Sequence, residues 1–223
     1  MAKRPIQIME SSAVPSVTRF ITLIDSSGSM RPYRELIIDG YNNLVKVIRS
    51  SVKPNMDVRT SLAMITNSTR SDIKFVEVYR DRGIGSLLEI IDNEYAPRAR
   101  TVIYDAIAGY LETLKDVPNN EAICLNVITC GVDSASVKEN CRSLQPVITE
   151  MQTLGNLTIT ALCHDDAMDS GYMLEPLGIP SGNIAKVFLD REESYSMLAD
   201  ATKRYFSKRS DGVLSINNFY EEE

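Results

Sequence analysis

The sequence predicts an α/β fold: a doubly wound, mainly parallel β-sheet with helices on both faces and an antiparallel hairpin at one edge. Strand-like and helix-like apolar patterns alternate along most of the 223 residues, which is typical of parallel strands joined by helices. The runs at 58–65 and 73–79 are separated only by a short polar stretch, which indicates a hairpin. Hydrophobic residues make up 43% of the chain, enough to form a core.

The individual elements follow from the spacing of the apolar residues. Continuous or alternating apolar runs predict strands at 20–24, 58–65, 73–79, 122–129, 157–163 and 185–189. Apolar residues three and four apart predict helices at 33–50, 86–91, 102–114, 135–151, 167–174 and 192–206. Pro146 is expected to bend or break the helix that contains it. We divide the chain into a lead-in at 1–17, one domain at 18–210 and a C-terminal tail at 211–223.

The first predicted strand runs directly into a candidate metal site. Asp25, Ser27 and Ser29 place one carboxylate and two hydroxyls at alternate positions after a buried strand, and ligands bind at such strand ends in doubly wound sheets. These oxygen donors suit a hard divalent cation such as Mg²⁺. Because only one donor carries charge, the site needs a further oxygen from a partner. The alternative is a Ser- and Gly-rich turn in which Asp25 caps the next helix.

Composition and charge bear on the partners of the protein, on membrane segments and on the compartment. The net charge of −6 argues against nucleic acid and against an anionic membrane as partners. Residues 1–12 lack the apolar stretch of a signal peptide, and no apolar run is long enough to cross a bilayer. The four cysteines form no C-x-x-C pair, so we expect reduced thiols in a cytoplasmic protein.

The residue patterns of common enzymes are missing, so we predict that the protein is not an enzyme. A phosphotransferase that used Asp25 as its nucleophile would want a second carboxylate two residues later, where Ser27 stands. The chain has neither a G-x-S-x-G elbow nor a Gly-rich phosphate loop with its Lys. His164-Asp165-Asp166 is either a second metal cluster or a polar loop, since adjacent residues at a strand end point in different directions.

The D-x-S-x-S stretch resembles the von Willebrand factor A (VWA) family, whose metal-ion-dependent adhesion site (MIDAS) begins with this motif. Thr101, in T-V-I-Y-D-A-I, resembles the second loop of that site. Thr129-Cys130-Gly131 stands where the family has T-D-G, and Asp133 follows shortly after. The segment 177–183, L-G-I-P-S-G-N, resembles small intracellular VWA proteins of bacteria and phages, and Gly40-Tyr-Asn-Asn43 fits that subgroup too.

The resemblance implies a Rossmann-like VWA fold and a set of ligands. Ser27, Ser29 and Thr101 would bind Mg²⁺, or another divalent cation such as Mn²⁺ or Ca²⁺, and Asp25 would hold metal-bound water. The chain departs from the family at Cys130, which replaces an Asp and is a poor partner for Mg²⁺.

Three further residues bear on the partner and on the charge of the site. Asp133 is a candidate to compensate for the missing acid at position 130. Arg98 and Arg100 precede Thr101, where relatives often have small residues, and are candidates to pair with a partner's carboxylate.

The function that the sequence favours is therefore a non-enzymatic, protein-binding domain that captures an Asp or Glu of a partner protein through a divalent cation. One alternative is a metal-independent scaffold that uses the same face. Another is a structural or assembly protein, for example in a phage particle.

Overall fold

The strand that ends at Asp25 lies in the middle of a six-stranded sheet. The structure is a computed structural model that describes residues 17–67, 74–98, 100–130, 133–164 and 174–221. In these residues the strand order is β3-β2-β1-β4-β5-β6, and every neighbouring pair is parallel except β2 and β3. The strands are β1 (Thr18–Asp25), β2 (Val58–Ile65), β3 (Phe75–Gly83), β4 (Ala122–Thr129), β5 (Leu157–His164) and β6 (Ile184–Val187).

The predicted doubly wound α/β fold is confirmed, with β1 at its centre. β1 pairs with β2 on one side and with β4 on the other, in parallel along nearly its whole length. The chain therefore reverses its direction of winding between β1 and β4, which is a topological switch point. The carboxyl ends of these two strands lie side by side at the edge where ligands bind in sheets of this kind.

Helices cover both faces of the sheet. The four α-helices of the described residues are α1 (Arg34–Ser51), α2 (Ile103–Glu112), α3 (Cys141–Thr153) and α4 (Glu192–Ser210). α1 and α4 pack with one face of the sheet, and α2 and α3 pack with the other. None of these helices combines the length and the apolar character that a membrane span requires.

Gly40 lets α1 and α4 approach each other closely. A Cβ atom at this position would overlap the ring of Tyr195 on α4, so only glycine fits without displacing one of the helices. The contact explains one residue of the Gly40-Tyr-Asn-Asn43 stretch by packing alone.

The helix predicted at 86–91 is wrong. A single 3₁₀ turn ends at Ser86, and the chain then runs without regular structure along α1. The reason is that side chains of α1 bind the backbone of this segment. The Asn42 amide donates to the carbonyl of Ile90 at 3.0 Å and accepts from its N–H at 2.8 Å, and Arg34 donates to the carbonyl of Tyr95. A backbone held in this way does not need helical hydrogen bonds.

The helix predicted at 135–151 begins later than expected, and Pro146 does not end it. Asn140 caps α3: its side chain accepts from the N–H groups of Arg142 and Ser143, and Ser143 bonds back to the Asn140 N–H. Residues 135–139 lie outside the helix because carboxylates from elsewhere take up their N–H groups, as described below. The short helix predicted at 167–174 lies outside the described residues, apart from Leu174.

Residues 211–221, which the sequence analysis placed after the domain, pack against it. Ile216 and Phe219 are buried in the core with α1 and α4. Asn183, just before β6, donates to the carbonyls of Ile159 and Ile216 and accepts from the Phe219 N–H. The segment is therefore an integral part of the fold.

Candidate functional site

The carboxylate of Asp25 is fully buried at the end of β1 and is fixed by two neighbours. Oδ1 accepts from the backbone N–H of Ser27 at 2.7 Å, and Oδ2 accepts from the Thr129 hydroxyl at 2.8 Å. Thr129 is the last residue of β4, so this bond joins the ends of the two central strands. The sequence analysis quoted Thr129 only as the first letter of T-C-G and assigned it no role.

The burial of Asp25 costs free energy when the carboxylate is charged. Loss of water around the group raises its pKa, and the nearby charge of Asp133 raises it further. The hydrogen bonds from Ser27 and Thr129 lower the pKa but do not cancel the effect of burial. A bound cation would remove this cost, because an opposite charge stabilises the ionised form.

Ser27 and Ser29 place their hydroxyls beside this carboxylate. Their Oγ atoms lie 2.9 Å apart, with Ser27 buried and Ser29 exposed. Below them, the N–H and the hydroxyl of Ser26 both donate to the carbonyl of Ile65, which fixes the loop to the end of β2. Successive side chains therefore point in opposite directions: Ser26 points to the sheet, and Asp25 and Ser27 on either side of it point to the site.

The buried Tyr95 supports the loop from a distant part of the chain. Its hydroxyl donates to the backbone carbonyl of Asp25 at 2.7 Å. Nothing in the sequence around Tyr95 indicates this contact, because it joins residues 70 positions apart.

Thr101 reaches the same edge of the sheet through backbone hydrogen bonds. The N–H of Arg98 donates to the carbonyl of Ser26, which ties the segment before Thr101 to the Asp25 loop. The carbonyl of Thr101 accepts from the Ser134 N–H, and α2 begins two residues later. Thr101 itself is 5% exposed. The structure therefore brings together the three loops that the sequence analysis assigned to one site.

Cys130 also faces the site. Its thiol interacts with the side chain of Ser29 and with the charge of Asp25, and burial raises its pKa to about 11. The backbone N–H of Cys130 donates to the sulfur of Met30. The thiol is therefore protonated at neutral pH.

Asp133 forms its hydrogen bonds with its own loop and with the start of α2. Its Oδ2 accepts from the N–H of Tyr104 in α2 and from the Ser136 hydroxyl, and its Oδ1 accepts from the N–H groups of Ala135 and Ser136. Both oxygens are therefore engaged, and the effect of Asp133 on Asp25 is electrostatic.

A second carboxylate, Asp105 of α2, holds the next part of the same loop. It accepts from three consecutive N–H groups, those of Val137, Lys138 and Glu139, at 2.7 to 3.1 Å. Lys74 lies 3.7 Å from its Oδ2. These bonds explain why residues 135–139 do not join α3.

Three exposed arginines surround the site. Arg98 and Arg100 were predicted as partner-binding residues, and Arg31 joins them from the 3₁₀ helix Gly28–Tyr33, which also contains Ser29. Arg31 donates to the carbonyl of Pro97, and Arg100 donates to the carbonyl of Ser134. In the part of the chain that the structure describes, none of the three forms an ion pair.

His164 lies at the end of β5, and both of its ring nitrogens have hydrogen-bond partners. Nδ1 accepts from the backbone N–H of Leu189, which leaves the proton of the neutral ring on Nε2, 3.0 Å from the Tyr33 hydroxyl. Asp165 and Asp166 lie outside the described residues.

The donor set of the site fits a divalent cation held mainly by hydroxyls. Asp25 supplies one carboxylate, while Ser27, Ser29 and Thr101 supply neutral oxygens. Among the described residues no three His, Cys, Asp or Glu side chains form a metal-binding group, so a cation here would depend on these hydroxyls and on a partner.

Comparison with known proteins identifies the fold. No protein-family model and no curated protein matches the sequence. Among solved structures, a VWA protein from Catenulispora acidiphila matches with a TM-score of 0.55 and 15% identity over 87% of this chain and 43% of that one. The chain has the von Willebrand factor A fold.

Two further VWA-fold matches hold metals. Proximal thread matrix protein 1 from the mussel byssus, solved with a zinc-occupied MIDAS motif, has a TM-score of 0.58 and 11% identity over 86% of this chain and 46% of its own. Manganese-loaded TRAP of Plasmodium vivax has a TM-score of 0.52 and 15% identity over 81% of this chain and 71% of its own. The chain spans less than half of the mussel and Catenulispora proteins.

Proposed function

We propose that the protein is a non-enzymatic binding domain that captures a carboxylate of a partner protein through a divalent cation at the Asp25 edge. The observation that carries the proposal is the arrangement at the ends of β1 and β4. There, a buried carboxylate fixed by Ser27 and Thr129 lies beside two serine hydroxyls.

Each residue has a defined part in this proposal. Ser27, Ser29 and Thr101 would hold the cation, and Asp25 would supply negative charge and orient metal-bound water. The cation would offer its open position to an Asp or Glu of the partner. Mg²⁺ is the first candidate because hydroxyl and carboxylate oxygens are its usual ligands, with Mn²⁺ and Ca²⁺ as alternatives.

A peptide array tests this function directly. Peptides that contain one Asp or Glu are paired with Asn or Gln counterparts and probed with the protein in Mg²⁺ and in chelator. We expect binding that needs both the acid and Mg²⁺ and that is lost in Ser27→Ala. Binding that persists in chelator and in this variant contradicts capture through a cation.

The three arginines favour a second candidate, a metal-independent scaffold. Arg31, Arg98 and Arg100 lie at the rim without acidic partners among the described residues, so their guanidinium groups are available to pair with carboxylates. This candidate predicts acid-dependent binding that survives chelation, weakens with salt, and is lost in Arg98→Ala but kept in Ser27→Ala.

A further inference from the structure

We propose that the arginine rim, formed by Arg31, Arg98 and Arg100, binds a second acid of the partner, close in sequence to the Asp or Glu that the cation captures. The inference rests on the proposed function, because the first acid is the one held at the cation. It goes further by stating what lies beside that acid: the partner segment is acidic, and the cation and the arginine rim bind it together.

Arg98 lies beside the Asp25 loop with its guanidinium group available. Its backbone N–H donates at 2.9 Å to the carbonyl of Ser26 in that loop. Its exposed side chain forms no hydrogen bond or ion pair with any residue that the structure describes. Glu94 lines the same cavity of about 340 Å³, but its carboxylate accepts from the N–H of Ile91 at 3.0 Å. The charge of Arg98 is therefore available to a partner.

Arg31 and Arg100 are oriented by single hydrogen bonds that leave other N–H groups available. Nε of Arg31 donates to the carbonyl of Pro97 at 3.0 Å, and Nη2 of Arg100 donates to the carbonyl of Ser134 at 2.8 Å. Because a guanidinium group has five N–H donors, each side chain can still bind a carboxylate. Arg100 also directly precedes Thr101, a candidate ligand of the cation. Side chains held in this way lose less entropy when a partner binds.

The acids near the arginine rim do not neutralise it. The carboxylate of Asp25 is fully buried, and both oxygens of Asp133 accept hydrogen bonds from its own loop and from α2. Five arginines elsewhere do form ion pairs with a described Asp or Glu, namely Arg19, Arg34, Arg49, Arg59 and Arg80. The whole chain has a net charge of −6, so the positive rim is a local exception. A positive patch of this kind is complementary to an acidic segment and favours it over a neutral one.

Paired peptides test the inference on the full chain. Each pair consists of a Gly-, Ser- and Ala-based peptide with one Asp and the same peptide with a second Asp at one of the neighbouring positions. In Mg²⁺ we expect the second Asp to tighten binding by up to about fivefold at one or more positions, the upper range for an exposed ion pair. This gain should shrink as the salt concentration is raised, because salt screens exposed charges.

Substitutions in the arginine rim should remove the difference between the two peptides of a pair. We expect no gain in Arg31→Gln/Arg98→Gln/Arg100→Gln and a partial recovery when the same three positions carry Lys, which restores the charge. Arg98→Gln alone disturbs no hydrogen bond among the described residues, so it should reduce the gain in a folded protein even if the triple variant does not fold. Arg59→Gln is the matched control, since it removes the same charge near the start of β2, at the opposite edge of the sheet, and should keep the full gain.

The outcomes separate this inference from the proposed function. A second Asp that brings no gain, or a gain that is unchanged in the triple Gln variant, overturns the inference and leaves capture through the cation standing. A gain that depends on the arginines, combined with single-Asp binding that is equal in Mg²⁺ and in chelator, overturns capture through the cation and leaves the acidic partner standing. A protein that binds neither kind of peptide overturns both.

Discussion

The side-chain oxygen of Asn183 accepts a hydrogen bond from the backbone N–H of Phe219 at 2.8 Å. The same side chain donates to two buried carbonyls, one in β5 and one in the C-terminal segment. The L-G-I-P-S-G-N stretch thus ends in a residue that holds the last part of the described chain against the sheet.

Asn183→Ala should destabilise the fold. The substitution leaves two carbonyls and one N–H buried without these partners, and we expect a loss on the order of 3 kcal/mol in the free energy of unfolding. Urea denaturation measures the loss. Asn43→Ala, on the exposed face of α1, is the matched control and should change little. A similar stability for both variants would show that the C-terminal segment does not depend on Asn183.

Gly40→Ala should separate α1 from α4. The added methyl group would overlap the Tyr195 ring, and overpacking of this kind costs about 1–3 kcal/mol even after neighbours shift. Gly85→Ala is the control, because nothing lies within 4 Å of the added atom. Thermal unfolding of the two variants should differ clearly; equal melting temperatures would mean that the interface between the helices adjusts freely.

Much of the fold could be predicted from local patterns, and the parts that could not depend on distant contacts. The strands at 58–65 and 122–129 were predicted with their observed bounds because both segments are rich in apolar residues and are bounded by polar stretches. The segment after Ser86 has helix-like apolar spacing, but Asn42 and Arg34 of α1 determine its course. No local pattern reports such a contact.

The candidate site likewise contains some residues that a local motif reveals and others whose roles depend on distant contacts. Asp25, Ser27 and Ser29 are contiguous, so a short motif reveals them. Tyr95 and Asp105 act on residues 70 and about 32 to 34 positions away, and only the folded chain shows their roles.

Asp25→Asn should raise the stability of the metal-free protein and abolish cation binding. Burial raises the pKa of Asp25, so the native state loses stability as pH rises from the usual aspartate range through the raised value. The advantage of the variant should therefore be absent at low pH and grow as the pH rises through the raised pKa of Asp25. Melting temperatures measured across pH test this; an advantage that is constant with pH would show that the charge of Asp25 is not its cause.

Thr101→Ala and Ser27→Ala should each abolish the rise in melting temperature that Mg²⁺ causes. A ligand that binds only the native state stabilises it by about 2.7 kcal/mol at a concentration 100 times its Kd. Without either hydroxyl the cation loses a direct ligand, while the metal-free melting temperature should stay nearly unchanged. Thr113→Ala, at the other end of α2, should keep the full Mg²⁺ response. A response that survives in Thr101→Ala would place the cation elsewhere.

Cys130→Asp should tighten Mg²⁺ binding. The substitution adds a hard, charged oxygen donor beside Asp25, where the thiol is protonated at neutral pH. Calorimetric titration with Mg²⁺ measures the gain, and Cys141→Asp serves as the control for added charge. If the wild-type protein already binds Mg²⁺ tightly and Cys130→Asp changes nothing, position 130 does not contribute to the site.

The contacts of Asp105 also link the loop after β4 to α2. Three consecutive N–H groups of residues 137–139 bind this one carboxylate, which fastens the loop to the first turn of α2. Thr101 lies just before that turn, and Val137 projects from the loop with 84% of its surface exposed. A displacement of α2 on cation binding would carry Val137 with it. The position of the Val137 side chain would then depend on whether the cation site is occupied, although this side chain does not contact the metal.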